Sequence, residues 1–279
     1  MTSRDPILIT GCSSGIGKAM ATMLVRAGHT VYATARRPET LAGLEAAGAR
    51  TLALDVTSEE SMVAAVKAVE AEHGSVGTLV NNAGYGEYGP IEETDLERVR
   101  TMFETNVFGL SRLTQLVLPG MRRAGHGRIV NVSSMGGRIV FPVGGYYHAS
   151  KYAVEAISDA LRVEVRPFGI DVVVIEPGLI RTGFESRVNE GIAGDGSLAA
   201  DRSAYSELLA RSEQATAESY RNVLAVGPDA VAKVTLKAVE AERPRTRYVV
   251  TPAARAMITL RKLGGDRVWD GFVRRQFKL

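Results

Sequence analysis

From residue 6 onward, short β-branched runs alternate with helical patterns, and that alternation limits the fold more than any other feature of the chain. The runs predict strands at 7–10, 30–35, 51–54, 78–81, 128–132 and 170–175. Between them, helices are expected at 15–27, 39–47, 58–72, 95–123 and 147–165, several closed by a glycine or stopping before Pro167. In the longest, Leu96, Val99, Phe103, Val107, Leu110 and Leu113 recur at three-to-four spacing, and Val154, Ile157, Leu161 and Val165 form a similar stripe. IDVVVI at 170–175 has the run of apolar residues expected of a strand buried on both faces. Strict alternation implies a parallel sheet with helices on both sides, and right-handed crossovers make it a three-layer doubly wound α/β fold. Beyond residue 182 the pattern loosens. The stretch 187–202, rich in Gly, Ala and Asp, reads as a loop. Helices follow at 203–220 and 228–242, then a strand at 248–251 and a helical tail. No repeat or low-complexity linker divides the chain, so residues 1–279 read as a single domain with a helical substrate loop and a C-terminal extension.

Composition narrows the class. At 45% hydrophobic and 23% charged, the 279 residues are ordinary for a soluble globular protein. Thirty-four basic against 31 acidic residues give +3, too little for a nucleic-acid partner to be expected. Basic residues do gather late, from Arg243 to Lys278, and read as a solvated face. Cys12 is the only cysteine, which excludes an internal disulfide and fits a reducing compartment. No apolar run approaches 18 residues, and MTSRDPILITG lacks a leader's apolar core, so a cytoplasmic protein without an integral membrane segment is expected. No metal site is expected.

Two stretches carry chemistry. The first is Thr10-Gly11-Cys12-Ser13-Ser14-Gly15-Ile16-Gly17, between the first strand and the first helix. Glycines there let backbone N–H groups approach a pyrophosphate on the helix N-terminus, although TGxxxGxG departs from the commoner GxGxxG. Nucleotide choice is read at the end of the second strand, where Ala35-Arg36-Arg37 offers no acid for a ribose hydroxyl. The planar fork of Arg36 suits a 2′-phosphate, so NADP(H) is expected rather than NAD(H). The second stretch is SMGGRIVFPVGGYYHASK at 134–151. Tyr147 and Lys151 stand four apart, which puts a phenol and an ammonium on one helix face. A fixed ammonium favours the phenolate and brings its proton toward neutral pH. The same spacing also serves the first turn of any amphipathic helix.

Taken together, these motifs resemble the short-chain dehydrogenase/reductase family over roughly residues 6–182. The resemblance rests on TGCSSGIG at 10–17, LDVT at 54–57, NNAG at 81–84, Asn106 in TNVFG, NVSS at 131–134, YHASK at 147–151 and PGLIRT at 177–182. It implies a Rossmann fold and an NADP(H)-dependent oxidoreductase that interconverts a secondary alcohol and a carbonyl. Catalytic roles are implied for Ser134, Tyr147, Lys151 and Asn106, with Tyr147 as general acid or base, Ser134 donating to the substrate oxygen and Asn106 helping to hold a water. Cofactor contacts are implied for Gly11, Ser13, Ser14, Gly15, Ile16, Gly17, Arg36, Asp55, Val56, Asn82, Ala83, Gly84, Tyr147, Lys151, Pro177, Gly178, Ile180 and Thr182. Without the resemblance, Asn106 reads as a polar residue on a solvated helix face.

The substrate-facing wall is expected from 135–145, His148 and the stretch after Thr182. Met135, Ile139, Val140, Phe141 and Val143 would make it apolar, fitting a lipophilic alcohol or ketone. NVSSMGG and RPFGIDVVVIEPG are similar to the branch holding 17β-hydroxysteroid and retinol dehydrogenases and acyl-dihydroxyacetone-phosphate reductases. A homodimer or homotetramer is implied by the family alone. The rival readings are an NADP(H)-binding sensor without turnover, which would be expected to lack the proton-handling residues, and a longer epimerase or dehydratase. The tail from residue 253 could cap the site, sit in an interface or touch a membrane.

Overall fold

A computed structural model of the protein describes residues 5–182, 204–221 and 225–278. The loop expected at 187–202 lies outside them. The strands are β1 Ile7–Ile9, β2 Val31–Ala35, β3 Arg50–Ala53, β4 Thr78–Asn81, β5 Gly127–Val132, β6 Ile170–Glu176 and β7 Arg247–Val249. They form one seven-stranded parallel sheet in the order β3-β2-β1-β4-β5-β6-β7. The order reverses between β1 and β4, which opens a crevice at the carboxyl ends of these strands.

Helices cover both faces: α1 Gly15–Arg26, α2 Ala42–Ala46, α3 Glu59–His73, α4 Leu96–Phe103, α5 Leu110–Ala124, α6 Gly145–Val165, α7 Ser206–Arg221, α8 Asp229–Glu240 and α9 Pro252–Phe277. The period-two geometry of a strand divides the core. Ile7 and Ile9 join Met20, Leu24, Val231 and Ala232 on one face. Leu8 joins Met62, Val66, Leu113 and Val117 on the other. This three-layer, doubly wound arrangement is the architecture read from the sequence.

Three local departures have physical causes. The helix expected at 39–47 opens at Pro38, a residue suited to a first turn, as a 3-10 turn, Pro38–Leu41, and continues as the short α2. The helix expected at 95–123 is interrupted by a π turn, Glu104–Gly109, between α4 and α5. At Gly109 a Cβ would lie 2.3 Å from the Val56 carbonyl oxygen, so the widened turn packs directly on backbone. The tail forms α9, bent at Gly265, whose φ of 67° lies in the left-handed region. Among the described residues no helix is long and apolar enough to cross a membrane.

Arg128, at the start of β5, is fully buried. Its guanidinium donates to the carbonyls of Ala238 and Val239 at 2.7 and 2.5 Å and to Asp171 Oδ2 at 2.8 Å. It thereby satisfies carbonyls left open in the last turn of α8.

Candidate active site

The turn after β1 is closed by its own backbone. A Cβ on Gly17 would lie 2.2 Å from the Gly11 carbonyl oxygen and 2.6 Å from Asn82 Nδ2, so only glycine fits. Gly11 itself, at φ 73°, occupies the left-handed region. Thr10 Oγ1 accepts the backbone N–H groups of Asn82 and Ala83 at 3.0 and 2.9 Å, and the Asn82 amide donates to the carbonyls of Thr10 and Gly11. NNAG therefore braces the turn from the next strand. Ser14 occupies the N-cap of α1 without capping it through its side chain, and the first turn of α1 carries no acid. The N–H groups at that helix end are thus left for an anion.

The second half of the crevice is held by PGLIRT. Met135 N–H donates to the Pro177 carbonyl at 2.8 Å, and Ile180 forms a parallel bridge with Val226. Thr182 comes to 3.5 Å from where a Gly15 Cβ would sit, which brings residues 167 positions apart to one rim. Asp55 Oδ1 accepts the Thr57 N–H and hydroxyl, turning LDVT toward the same crevice. Arg36 is exposed at its edge.

Ser134 leaves the end of β5, and Tyr147 and Lys151 project from the first turns of α6. Tyr147 is 8% exposed and Lys151 6%. Burial pushes the Tyr147 phenol above its usual 10, with a hydrogen bond to the Ser134 side chain working the other way. Burial also lowers Lys151 from 10.5 to about 8, opposed by the charge of Glu155 one turn on. Lys151 Nζ donates to the Val132 carbonyl at 3.0 Å. Tyr146 turns elsewhere, its hydroxyl 3.5 Å from the Ile91 carbonyl. Ser133, the neighbour of Ser134, buries a hydroxyl that finds no hydrogen-bond partner among the described residues.

Asn106 sits in the π turn and is 1% exposed, so the solvated-face alternative does not apply to it. Its Oδ1 accepts the Tyr85 N–H at 3.0 Å, and its Nδ2 donates to the Tyr85 carbonyl at 2.8 Å and to Ser150 Oγ at 3.1 Å. A Cβ on Gly84 would lie 2.9 Å from Asn106 Oδ1 and 3.6 Å from Lys151 Nζ. Asn106 therefore stands directly behind the crevice wall.

These elements enclose a cavity of about 670 Å³. Every residue singled out from the sequence for catalysis or cofactor contact lines it, except Asn106. The apolar wall is a different matter. Of the five residues expected there, Met135 and Phe141 line the cavity, whereas Ile139 is fully buried in the cluster behind them, Val143 packs on Tyr88, Leu208 and Leu209, and Val140 is 43% exposed. The wall is completed by Tyr88, Leu179, Ala215, Met257 and Phe277. Leu179 falls within PGLIRT, and Ala215, Met257 and Phe277 fall in the stretch after Thr182 expected at the site; Tyr88, whose ring lies 5.6 Å from that of Tyr147, carries no signal in the sequence.

Comparison with known proteins identifies the family. A family model described as short chain dehydrogenase matches residues 5–193. The chain belongs to that family. As a short-chain dehydrogenase it is an oxidoreductase, and its relatives lie in the branch that the motifs indicated. It is 38% identical over 256 residues to 3-ketodihydrosphingosine reductase of Bacteroides thetaiotaomicron, covering 92% of this chain and 91% of the other. It is 36% identical to 17-beta-hydroxysteroid dehydrogenase type 1 of Homo sapiens (93% and 81% covered) and to retinol dehydrogenase 8 of Bos taurus (90% and 85% covered). Among solved structures, this short-chain dehydrogenase resembles one from Streptomyces avermitilis with a TM-score of 0.82, 36% identity and 98% of each chain covered. It also resembles a serine dehydrogenase complexed with NADP⁺, with a TM-score of 0.76, 29% identity and 89% and 95% covered.

Proposed function

We propose that this enzyme is an NADP(H)-dependent reductase of lipophilic ketones or aldehydes, with a secondary-alcohol dehydrogenase as the reverse direction. The observation that carries this reading is the convergence of Ser134, Tyr147 and Lys151 on the cavity that also holds the Gly11–Gly17 turn and the uncapped end of α1. The turn admits no side chain at Gly17, so its residues fit a pyrophosphate, and Arg36 at the rim fits a 2′-phosphate. When bound, NADP(H) supplies or accepts the hydride.

The chain's own residues handle the rest. Tyr147 donates its phenolic proton to the carbonyl oxygen during reduction and takes it back during oxidation. Burial alone holds that proton too tightly at neutral pH. Releasing it near neutral pH requires stabilisation of the phenolate against that burial, which falls to the Ser134 hydrogen bond and to positive charge within the cavity, the Lys151 ammonium first. Ser134 donates to the substrate oxygen as charge develops on it. Asn106 fixes the Tyr85 backbone, next to Gly84 of the crevice wall, and ties it through Ser150 to the helix that carries Lys151.

Met135, Phe141, Leu179, Ala215, Met257 and Phe277 give the substrate side an apolar lining. The relatives named for 3-ketodihydrosphingosine, a 17-beta-hydroxysteroid and retinol point the same way. A cytoplasmic homodimer or homotetramer completes the reading. The test is Tyr147→Phe, assayed by NADPH oxidation against steroid, retinal and long-chain ketones. Turnover should vanish with NADPH binding intact; substantial residual turnover refutes the assignment.

A further inference from the structure

His148 follows Tyr147 directly, is 6% exposed, and has both ring nitrogens engaged. Nδ1 lies 3.1 Å from the Gly136 carbonyl oxygen, and the Phe141 N–H donates to Nε2 at 3.2 Å. A carbonyl requires a donor and an amide N–H requires a lone pair, so one tautomer satisfies both: the neutral ring with its proton on Nδ1. Burial, which pushes the imidazole down to about 4, keeps it in that form.

The ring is slotted into the loop between Ser134 and α6. A Cβ on Gly136 would fall 2.5 Å from His148 Nδ1, and one on Gly144 would fall 2.8 Å from Nε2. These two glycines therefore make the space that the imidazole fills. Gly136 links onward, because its N–H donates to Ser134 Oγ at 3.0 Å. Phe141 links the other way: its ring lies 6.0 Å from the His148 ring, 5.5 Å from Trp269 and 6.0 Å from Phe277. One imidazole thus joins the serine hydroxyl on one side to the apolar wall and α9 on the other.

We propose that His148 is a positioning residue that sets Ser134 and the Phe141 wall against Tyr147. The proposal rests on the roles given above to Ser134 and Tyr147. With the Gly136 N–H on one lone pair of Ser134, the hydroxyl keeps its proton free for Tyr147 or a substrate oxygen; without the strut, Gly136 and that hydroxyl drift together. Oxygen stabilisation that is gained only as charge develops is then lost from kcat more than from KM.

Two measurements decide it. Imidazole ¹⁵N NMR of the wild-type enzyme should show a protonated Nδ1 and an acceptor Nε2 at pH 7; the opposite tautomer overturns the proposal whatever the activity. In single-turnover assays, His148→Phe keeps the bulk and removes both bonds. It should lower kcat by about 10- to 100-fold, as small misplacements in active sites do, with NADPH affinity unchanged. His148→Gln, which retains one donor and one acceptor, should recover part of that loss. A His148→Phe enzyme within about threefold of wild type, less than 1 kcal/mol, overturns the proposal, as does an equal kcat loss in both variants. Tyr147→Phe in the same assay separates the two failures. If it turns over normally, the Tyr147 assignment is wrong; if it is inactive while His148→Phe is normal, only the His148 role is wrong.

Discussion

Lys151 keeps an ammonium inside the protein at 6% exposure, and Lys151→Met measures what that placement costs. Its fall from 10.5 to about 8 corresponds to about 3 kcal/mol disfavouring the charged form in the folded state. Methionine is similar in length and carries no charge, so it removes that penalty. It also strands the Val132 carbonyl, whose bond to Nζ is 3.0 Å, at about 1 kcal/mol. The variant should be more stable than wild type by about 2 kcal/mol at pH 7, and inactive. The pH dependence has a definite sign. Between about 8 and 10.5 the unfolded chain holds the lysine proton and the folded chain has released it, so wild-type stability rises with pH across that window. The advantage of methionine should therefore shrink from pH 8 to pH 10.5. Urea unfolding of both proteins at pH 7, 8, 9 and 10 reads this directly. A methionine variant no more stable at pH 7, or a gap that does not change across the window, refutes the burial argument.

Other expectations follow from single contacts. Gly17→Ala places a methyl 2.2 Å from the Gly11 carbonyl oxygen, so NADPH affinity measured by fluorescence quenching should fall at least about tenfold; an unchanged Kd refutes the closed-turn account. Arg36→Asp should move the kcat/KM preference from NADPH toward NADH, and an unchanged ratio removes Arg36 from nucleotide choice. Arg128→Met leaves the Ala238 and Val239 carbonyls without their buried donor and should lower unfolding stability by about 2–4 kcal/mol, with a loss below about 1 kcal/mol counting against the cap.

The parts of the molecule legible in the sequence are those governed by neighbours along the chain. The Gly11–Gly17 turn, the Tyr147–Lys151 spacing and the strand–helix alternation each declare themselves within a few residues. The rest depends on partners far away. Asn106 looks like a helix-surface residue until Tyr85 and Ser150, 21 and 44 positions distant, take up its amide. Arg128 carries the charge of an exposed strand end and is buried because α8 ends on it, 110 positions later. The apolar wall depends on distant partners in the same way. Of residues 139–143, Phe141 and Pro142 line the cavity, and α7 and α9 join them there, with Trp269 of α9 reaching Val140 across 129 positions.

The donation from Trp269 Nε1 to the Val140 carbonyl, at 3.0 Å, fastens α9 to the strap over the cavity. It also divides the molecule into two hereditary compartments. The Gly11–Gly17 turn, Ser134, Tyr147 and Lys151 all lie before residue 152, whereas Ala215, Met257 and Phe277 enter from the last third of the chain. Substitutions in α7 and α9 can therefore reshape the cavity while the turn and the hydroxyl–phenol–ammonium set stay as they are. A duplicated copy of this gene could change the molecules it accepts by drifting in one segment alone.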